Sequence, residues 1–339
     1  MNRIILAFDL FYGALSLTAT VATIVISQPI ASVAKTTQNL IVTDVEHKLS
    51  VDSAKDYIPS DYHLLAQNTD SPNNLSSEIN PQIAKDLFQR GTFRADQGDF
   101  KGSIEDWNQV IRIKPNHTKV YSNRGNVRSK LRDKQGAIAD YNQALQINPD
   151  LANAYLNRGI SRHQLGDNKG AIDDYNQALY INPNLAEAYY NRGNIHNELG
   201  EKKEAIIDYN QALQINPNYV QAYLNRGVVR HKLGDIKGVL DDYNQVLIIS
   251  PNDALAYYNR GNLRNELGDK KGAIDDYNQV LKISPNDAIA YCTRGGLRNE
   301  LGDKKGAIAD FQKAANLFIS QNRISDYQNA LDNIKALQR

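Results

Sequence analysis

The chain has 339 residues, 41% of them apolar, and its 39 basic and 38 acidic side chains leave a formal charge of +1. So even a balance offers no general attraction for phosphate or for an anionic bilayer. A single cysteine, Cys292, excludes an intrachain disulfide and any cysteine-rich metal site.

In chain order, Arg3 precedes a run from Ile4 to Ile26 whose only formal charge is Asp9, and Ser32 and Ala34 then supply small residues before Lys35. Residues 1–34 read as an export signal. The uninterrupted part, Leu10 to Ile26, also approaches the lower length limit of a spanning helix, so an uncleaved N-terminal membrane anchor is the competing reading and a buried core helix a third. The first two agree on location: positive charge ahead of the run keeps that end inside, which puts the rest of the chain on the periplasmic or other extracytoplasmic side. Residues 35–80 are rich in Ser, Thr, Asn and Asp, lack a sustained helical period, and read as a flexible polar linker.

Beyond the linker, Gly91, Gly125, Gly159, Gly193, Gly227, Gly261 and Gly295 follow one another at 34-residue intervals. They divide the sequence into seven units, 84–117, 118–151, 152–185, 186–219, 220–253, 254–287 and 288–321. A period of this size marks a stacked array in which each unit buries its apolar face against its neighbours. In the fourth unit, a helix A is expected from Ala186 to Leu199, ended by Gly200, which readily takes the left-handed conformation past a helix end. A helix B follows from about Lys202 to Ile215, with Ala205, Ile206, Tyr209, Ala212 and Leu213 on one face. Pro217 stops it, and Asn218 is placed to cap the next helix. Asn80-Pro81 reproduces the Asn-Pro pair that closes units two to four, so the register begins there.

With an aromatic at its fourth position (Tyr189), glycine at the eighth (Gly193), small residues at Ala205 and Ala212, an aromatic between them (Tyr209) and Pro217 near its end, this unit resembles the tetratricopeptide repeat. The resemblance implies an all-α fold, a right-handed superhelical α-solenoid of seven tandem helix-turn-helix repeats whose A helices line a concave, protein-binding groove. It implies no catalytic residues. The first unit diverges, with Leu87 and Trp107 in place of the aromatic pair, and the seventh has Phe311 and no closing proline, as terminal repeats tend to. In residues 322–339 a capping helix is expected from about Arg323 to Gln338, with Ile324, Tyr327, Leu331 and Ile334 on its buried side.

A second period of 68 residues runs through the A helices. Units three and five carry Leu156/Leu224, Ile160/Val228 and His163/His231, where units four and six carry Tyr190/Tyr258, Asn194/Asn262 and Asn197/Asn265. These positions share one helical stripe, which the resemblance places in the groove. Duplication of a repeat pair explains the alternation; so does a groove with alternating apolar and amide rungs for an extended ligand.

Two positions depart from the family pattern. Arginine precedes every repeat glycine (Arg90, Arg124, Arg158, Arg192, Arg226, Arg260, Arg294), and a second follows it in Arg94, Arg128, Arg162, Arg230, Arg264 and Arg298, with His196 the exception. Each B helix has an aspartate just before its aromatic, from Asp106 through Asp140, Asp174, Asp208, Asp242 and Asp276 to Asp310. An inward guanidinium without a carboxylate costs several kcal/mol, so an internal Arg–Asp ladder is expected.

Units one and two hold 12 basic and 8 acidic residues, whereas units three to seven hold 20 of each. On presumed groove positions Lys85, Lys119 and Lys130 lie early, and Glu187, Glu198, Glu266 and Glu300 later. That gradient either orients a ligand or is ordinary solvated charge. Base-per-repeat reading of RNA needs a basic groove, which the neutral later units lack, so no nucleic acid is expected. His163 and His231, two repeats apart, cannot share one zinc, and no serine or cysteine sits in a nucleophile context. No metal, cofactor or enzymatic activity is expected.

The sequence thus reads as a scaffold binding a protein or extended peptide along Leu156, Asn157, Ile160, His163, Tyr190, Asn191, Asn194, Asn197, Leu224, Asn225, Val228, His231, Tyr258, Asn259, Asn262 and Asn265, in contact with membrane only through its N-terminal segment. The alternative is a structural or self-assembling envelope protein built by repeat stacking.

Overall fold

The computed structural model describes residues 79–339. The expected leader at 1–34 and nearly all of the linker at 35–80 lie outside the described residues, among which no helix is long and apolar enough to cross a membrane. Those residues form fifteen helices and no strand: α1 Ile79–Asp96, α2 Phe100–Ile113, α3 Thr118–Lys130, α4 Lys134–Ile147, α5 Ala152–Gln164, α6 Asn168–Ile181, α7 Ala186–Glu198, α8 Lys202–Ile215, α9 Val220–Lys232, α10 Ile236–Ile249, α11 Ala254–Glu266, α12 Lys270–Ile283, α13 Ala288–Glu300, α14 Lys304–Ser320 and α15 Ile324–Gln338. Odd-numbered helices through α13 are the A helices and even-numbered ones the B helices. From α3 onward, each A helix packs on the B helix of its own unit, and each B helix on the A helix that follows. This is the α-solenoid the repeats predict.

Local chemistry fixes each hairpin. The A-to-B turn passes through a residue at positive φ, as at Gly200 (+82°), where the backbone suits glycine; in unit two Arg132 takes that position at +66°. An aspartate then caps the B helix, Asp167 accepting from the Gly170 amide at 2.9 Å in α6, and the same cap recurs at Asp99, Asp133, Asp235, Asp269 and Asp303. Within the B helix the small and aromatic residues expected at the core are buried: Ala205, Tyr209 and Ala212 are fully enclosed. The glycine in mid-A-helix answers to them. A Cβ added at Gly193 would sit 3.0 Å from the Tyr209 ring and 3.2 Å from the Asp208 Cβ, so its absence lets α7 and α8 approach.

Three local expectations need correction. Asn218 does not cap α9, which opens after Tyr219 without a side-chain cap; instead the Asn218 amide donates to the Asn216 side chain at 3.1 Å in an Asx turn. The cap position is one residue later, the last residue of the unit, and Asp253 and Asp287 fill it to cap α11 and α13. Asn80-Pro81 lies inside the first turn of α1 rather than before it, since first-turn amides have no intrahelical partner for proline to remove. In α15, Ile324 is 58% exposed, because at the first position it lies beyond the reach of α14, while Ala330 and Ile334 seal against it. Lacking a proline, α14 runs three residues past the length of the other B helices, to 17 against 14.

Candidate functional site

The wall behind the A-helix face is built from the arginines. In all seven units the arginine before the glycine meets the B-helix aspartate at 2.5–2.6 Å, and those carboxylates are 1–4% exposed. In six units the second arginine reaches the same carboxylate at 2.9–3.1 Å. Unit four substitutes His196, whose Nε2 is 3.7 Å from Asp208 while its Nδ1 contacts Glu201. Hydrogen bonding to Asp208 raises the affinity of the Arg192 guanidinium for its proton. Burial lifts the Asp242 carboxyl above its ordinary range against the pull of Arg226 and Arg230. The ladder forms as expected, and each of its arginines stands against a carboxylate.

The ladder also crosses repeats, which the sequence reading missed. Arg192 Nη1 donates to Asn176 of the preceding B helix at 2.6 Å, and its guanidinium lies 5.5 Å from the Tyr189 ring centroid. The same asparagine contact joins every unit from the second on, through Asn108, Asn142, Asn176, Asn210, Asn244 and Asn278. A signal existed: the equivalent residue in unit seven, which no further repeat follows, is Gln312.

The alternating residues of the A helices divide into two kinds of seam. Between units two and three, Asn157 donates to Asn126 at 2.9 Å. Between units four and five, Asn225 donates to Asn194 at 2.8 Å and to the Tyr190 hydroxyl at 3.1 Å. In two other seams a histidine meets a glutamate: His163 to Glu198 at 2.9 Å between units three and four, His231 to Glu266 at 2.8 Å between five and six. The 68-residue period is thus written into contacts between repeats.

The same alternation decides the B-helix tyrosines. Tyr141, Tyr209 and Tyr277 donate their hydroxyls to Asn126, Asn194 and Asn262. Tyr175 faces Ile160 where these three face asparagine, and its buried hydroxyl has no partner among the described residues.

Of the predicted groove residues, Leu156 is 5% exposed and packs with Tyr175, Leu179 and Ile195, so it belongs to the core and presents no surface. Ile160, Leu224 and Val228 are half-buried. Tyr190 is wedged between Tyr219 and Tyr209, at ring separations of 4.8 and 6.1 Å, and Tyr258 lies edge-on to Tyr277 at 5.7 Å. Burial pushes the Tyr258 hydroxyl up to about 12. Asn191, Asn259 and Asn265 make no side-chain hydrogen bond among the described residues, and the Asn197 carbonyl oxygen is enclosed without a donor. Asn191 and Asn259 are the counterparts of Asn157 and Asn225, left unpaired because the residues before them in the stack are Ile160 and Val228.

Among the described residues no group of His, Cys, Asp or Glu is arranged to hold a metal. Burial raises the Cys292 thiol to about 11, away from nucleophilic use at neutral pH.

A family model described as "TPR repeat" matches residues 135–166, 161–200 and 193–234, and one described as "Tetratricopeptide repeat" matches residues 254–287. A solved tetratricopeptide repeat protein from Parabacteroides merdae ATCC 43184 superposes with a TM-score of 0.53 at 24% identity, over 76% of this chain and 100% of its own. A structure of Pseudomonas aeruginosa pilF gives 0.54 at 15% identity, over 61% of this chain and 94% of its own. Likeness at these identities concerns the fold. No curated protein matches the sequence. Repeat length, glycine and aromatic register, helix-pair packing and the matched family models agree, and the helical array is one of tetratricopeptide repeats.

Proposed function

We propose that the array is a non-enzymatic scaffold that docks a protein or extended peptide along the A helices α7, α9 and α11. Tetratricopeptide arrays bind protein or peptide partners in general, and the family is generally non-catalytic. The observation that carries the reading is the pair of amides at Asn191 and Asn259. Each offers two donors and an acceptor, neither is hydrogen-bonded among the described residues, and both stand beside a tyrosine, Tyr190 and Tyr258. An amide matches the donor and acceptor of a peptide unit, which suits main-chain recognition. We place the scaffold outside the cytoplasm, on the reading of residues 1–34 as signal or anchor.

Capture of partners on immobilised full-length protein tests this. Asn191→Ala/Asn259→Ala removes amides that make no side-chain hydrogen bond among the described residues, so the variant should keep its melting temperature and lose its partner. Unchanged capture counts against the groove.

One observation favours the self-assembling alternative: Tyr180, Ile207 and Ile248 on the B helices are 84%, 59% and 70% exposed. Concentration-dependent growth in sedimentation, abolished by Tyr180→Ser/Ile248→Ser, would support it over the binding module.

A further inference from the structure

The docking reading leaves the partner's chemistry open, and the charge along the A helices narrows it. On the later units three of the four groove-position glutamates have a partner, Glu198 in His163, Glu266 in His231, and Glu300 in Lys270 at 2.8 Å, while Glu187 is exposed. The first two units show the opposite. Lys85 on α1 and Lys119 and Lys130 on α3 are exposed, and none has a carboxylate partner among the described residues. Lys119 is also close enough to His117 to help depress the affinity of that imidazole for its proton, after the larger effect of burial, and Lys114 acts with it. The second position of the unit, held by Lys85 and Lys119 at this end, is held at the far end by Leu255, 41% exposed, and Ile289.

We propose that units one and two receive an acidic segment of a polypeptide partner, and that this contact fixes the direction in which the partner lies along the array, with its apolar portion toward Leu255. The proposal rests on the docking reading. Charge complementarity selects the occupant: three exposed lysines without a carboxylate partner among the described residues stand at one end of the face, and Glu187 holds the same second repeat position farther along it. A polynucleotide is the poorer fit. The A-helix arginines Arg90, Arg94, Arg124 and Arg128 are held by aspartates, and the cationic stretch covers only two A helices, on the order of 20 Å at ordinary helix spacing. Phe88, the aromatic of that face, is packed against His117 at 5.1 Å rather than presented for base stacking.

The test is fluorescence anisotropy of a labelled, capped peptide of alternating Glu and Ala against the full chain. Binding should saturate and weaken with added salt. Lys85→Glu/Lys119→Glu/Lys130→Glu should weaken it by about tenfold or more, while Lys203→Glu/Lys237→Glu/Lys271→Glu, an equal change in net charge on the B helices, should alter it by less than about twofold. Equal loss in both triple variants, or an oligothymidylate of matched length that binds tighter than the peptide, overturns the proposal. The two readings fail separately. If Asn191→Ala/Asn259→Ala abolishes partner capture while the first lysine triple leaves peptide affinity unchanged, only the acidic-end assignment falls. If the lysine triple abolishes peptide binding but the wild type captures no partner, only the general docking reading falls.

Discussion

Arg158 clamps Asp174 with two nitrogens, Nη2 at 2.6 Å and Nε at 3.0 Å from its carboxylate oxygens, and the aspartate side chain is left 2% exposed. Arg158 also donates to Asn142 of the preceding repeat at 2.7 Å, so one guanidinium ties its own hairpin together and to its neighbour.

Asp174→Ala strands two guanidinium groups, those of Arg158 and Arg162, and should cost about 3–5 kcal/mol. Asp173, one residue earlier, is exposed, and Asp173→Ala should stay within about 0.5 kcal/mol. Urea unfolding followed by circular dichroism measures both; similar midpoints would remove the ladder from the account of stability. Asp269 would be a poor comparison, because its side chain caps α12.

Tyr209 and Tyr175 are equivalent residues with unequal hydroxyls. Tyr209 donates to Asn194 at 2.8 Å, so Tyr209→Phe should lose about 1 kcal/mol. The Tyr175 hydroxyl is enclosed without a partner, so Tyr175→Phe should be neutral or stabilising. Thermal melts of the two variants decide it, and a larger loss for Tyr175→Phe would show that its hydroxyl has an acceptor.

Gly295 and Gly296 are neighbours on α13 with opposite surroundings. A Cβ at Gly295 would lie 3.2 Å from both the Phe311 ring and the Asp310 Cβ, and one at Gly296 would meet nothing within 4 Å. Gly296→Ala should therefore stabilise by about 0.5–1 kcal/mol through helix propensity alone, and Gly295→Ala should destabilise in spite of the same propensity. Denaturant midpoints that moved in the same direction would contradict the packing role of the repeat glycine.

Cys292 packs against the cluster of Ala307, Phe311 and Ile334, the last of these from the capping helix, and its thiol is raised to about 11 from an ordinary 9.0, first by burial. The thiolate reacts, so labelling by a disulfide reagent should be slow at pH 8 and accelerate toward pH 11. The sign for stability follows: the unfolded thiol ionises first as pH rises, so this group favours the fold below pH 9 and its contribution is lost between 9 and 11. Unfolding by urea should restore ordinary labelling rates at pH 8, and fast labelling of the folded chain would place the thiol outside the core.

The 34-residue period, the two helices per unit, the buried face of each B helix and the pairing of arginine with aspartate were legible in the sequence, because each follows from a local pattern repeated seven times. A repeated residue type at a fixed place in a fixed unit has a fixed neighbour. The caps of the A helices were misplaced by one residue, since Asn218 and the residue after it are equally plausible from spacing, and only the Asx turn at Asn216 separates them.

What the sequence could not assign was the use of the 68-residue alternation. Leu156 and Tyr190 occupy the same position of successive repeats, yet one is core and the other is held between rings, because side chains of opposite seams meet different neighbours. Periodicity determines which stripe of a helix a residue lies on. Whether its hydrogen-bonding groups are satisfied there depends on the facing residue some 31 or 35 positions away, and that pairing exists only once the repeats have stacked. Tertiary packing therefore closed Asn194 and Asn225 on each other and left the amides of Asn191 and Asn259 without a partner within the described chain.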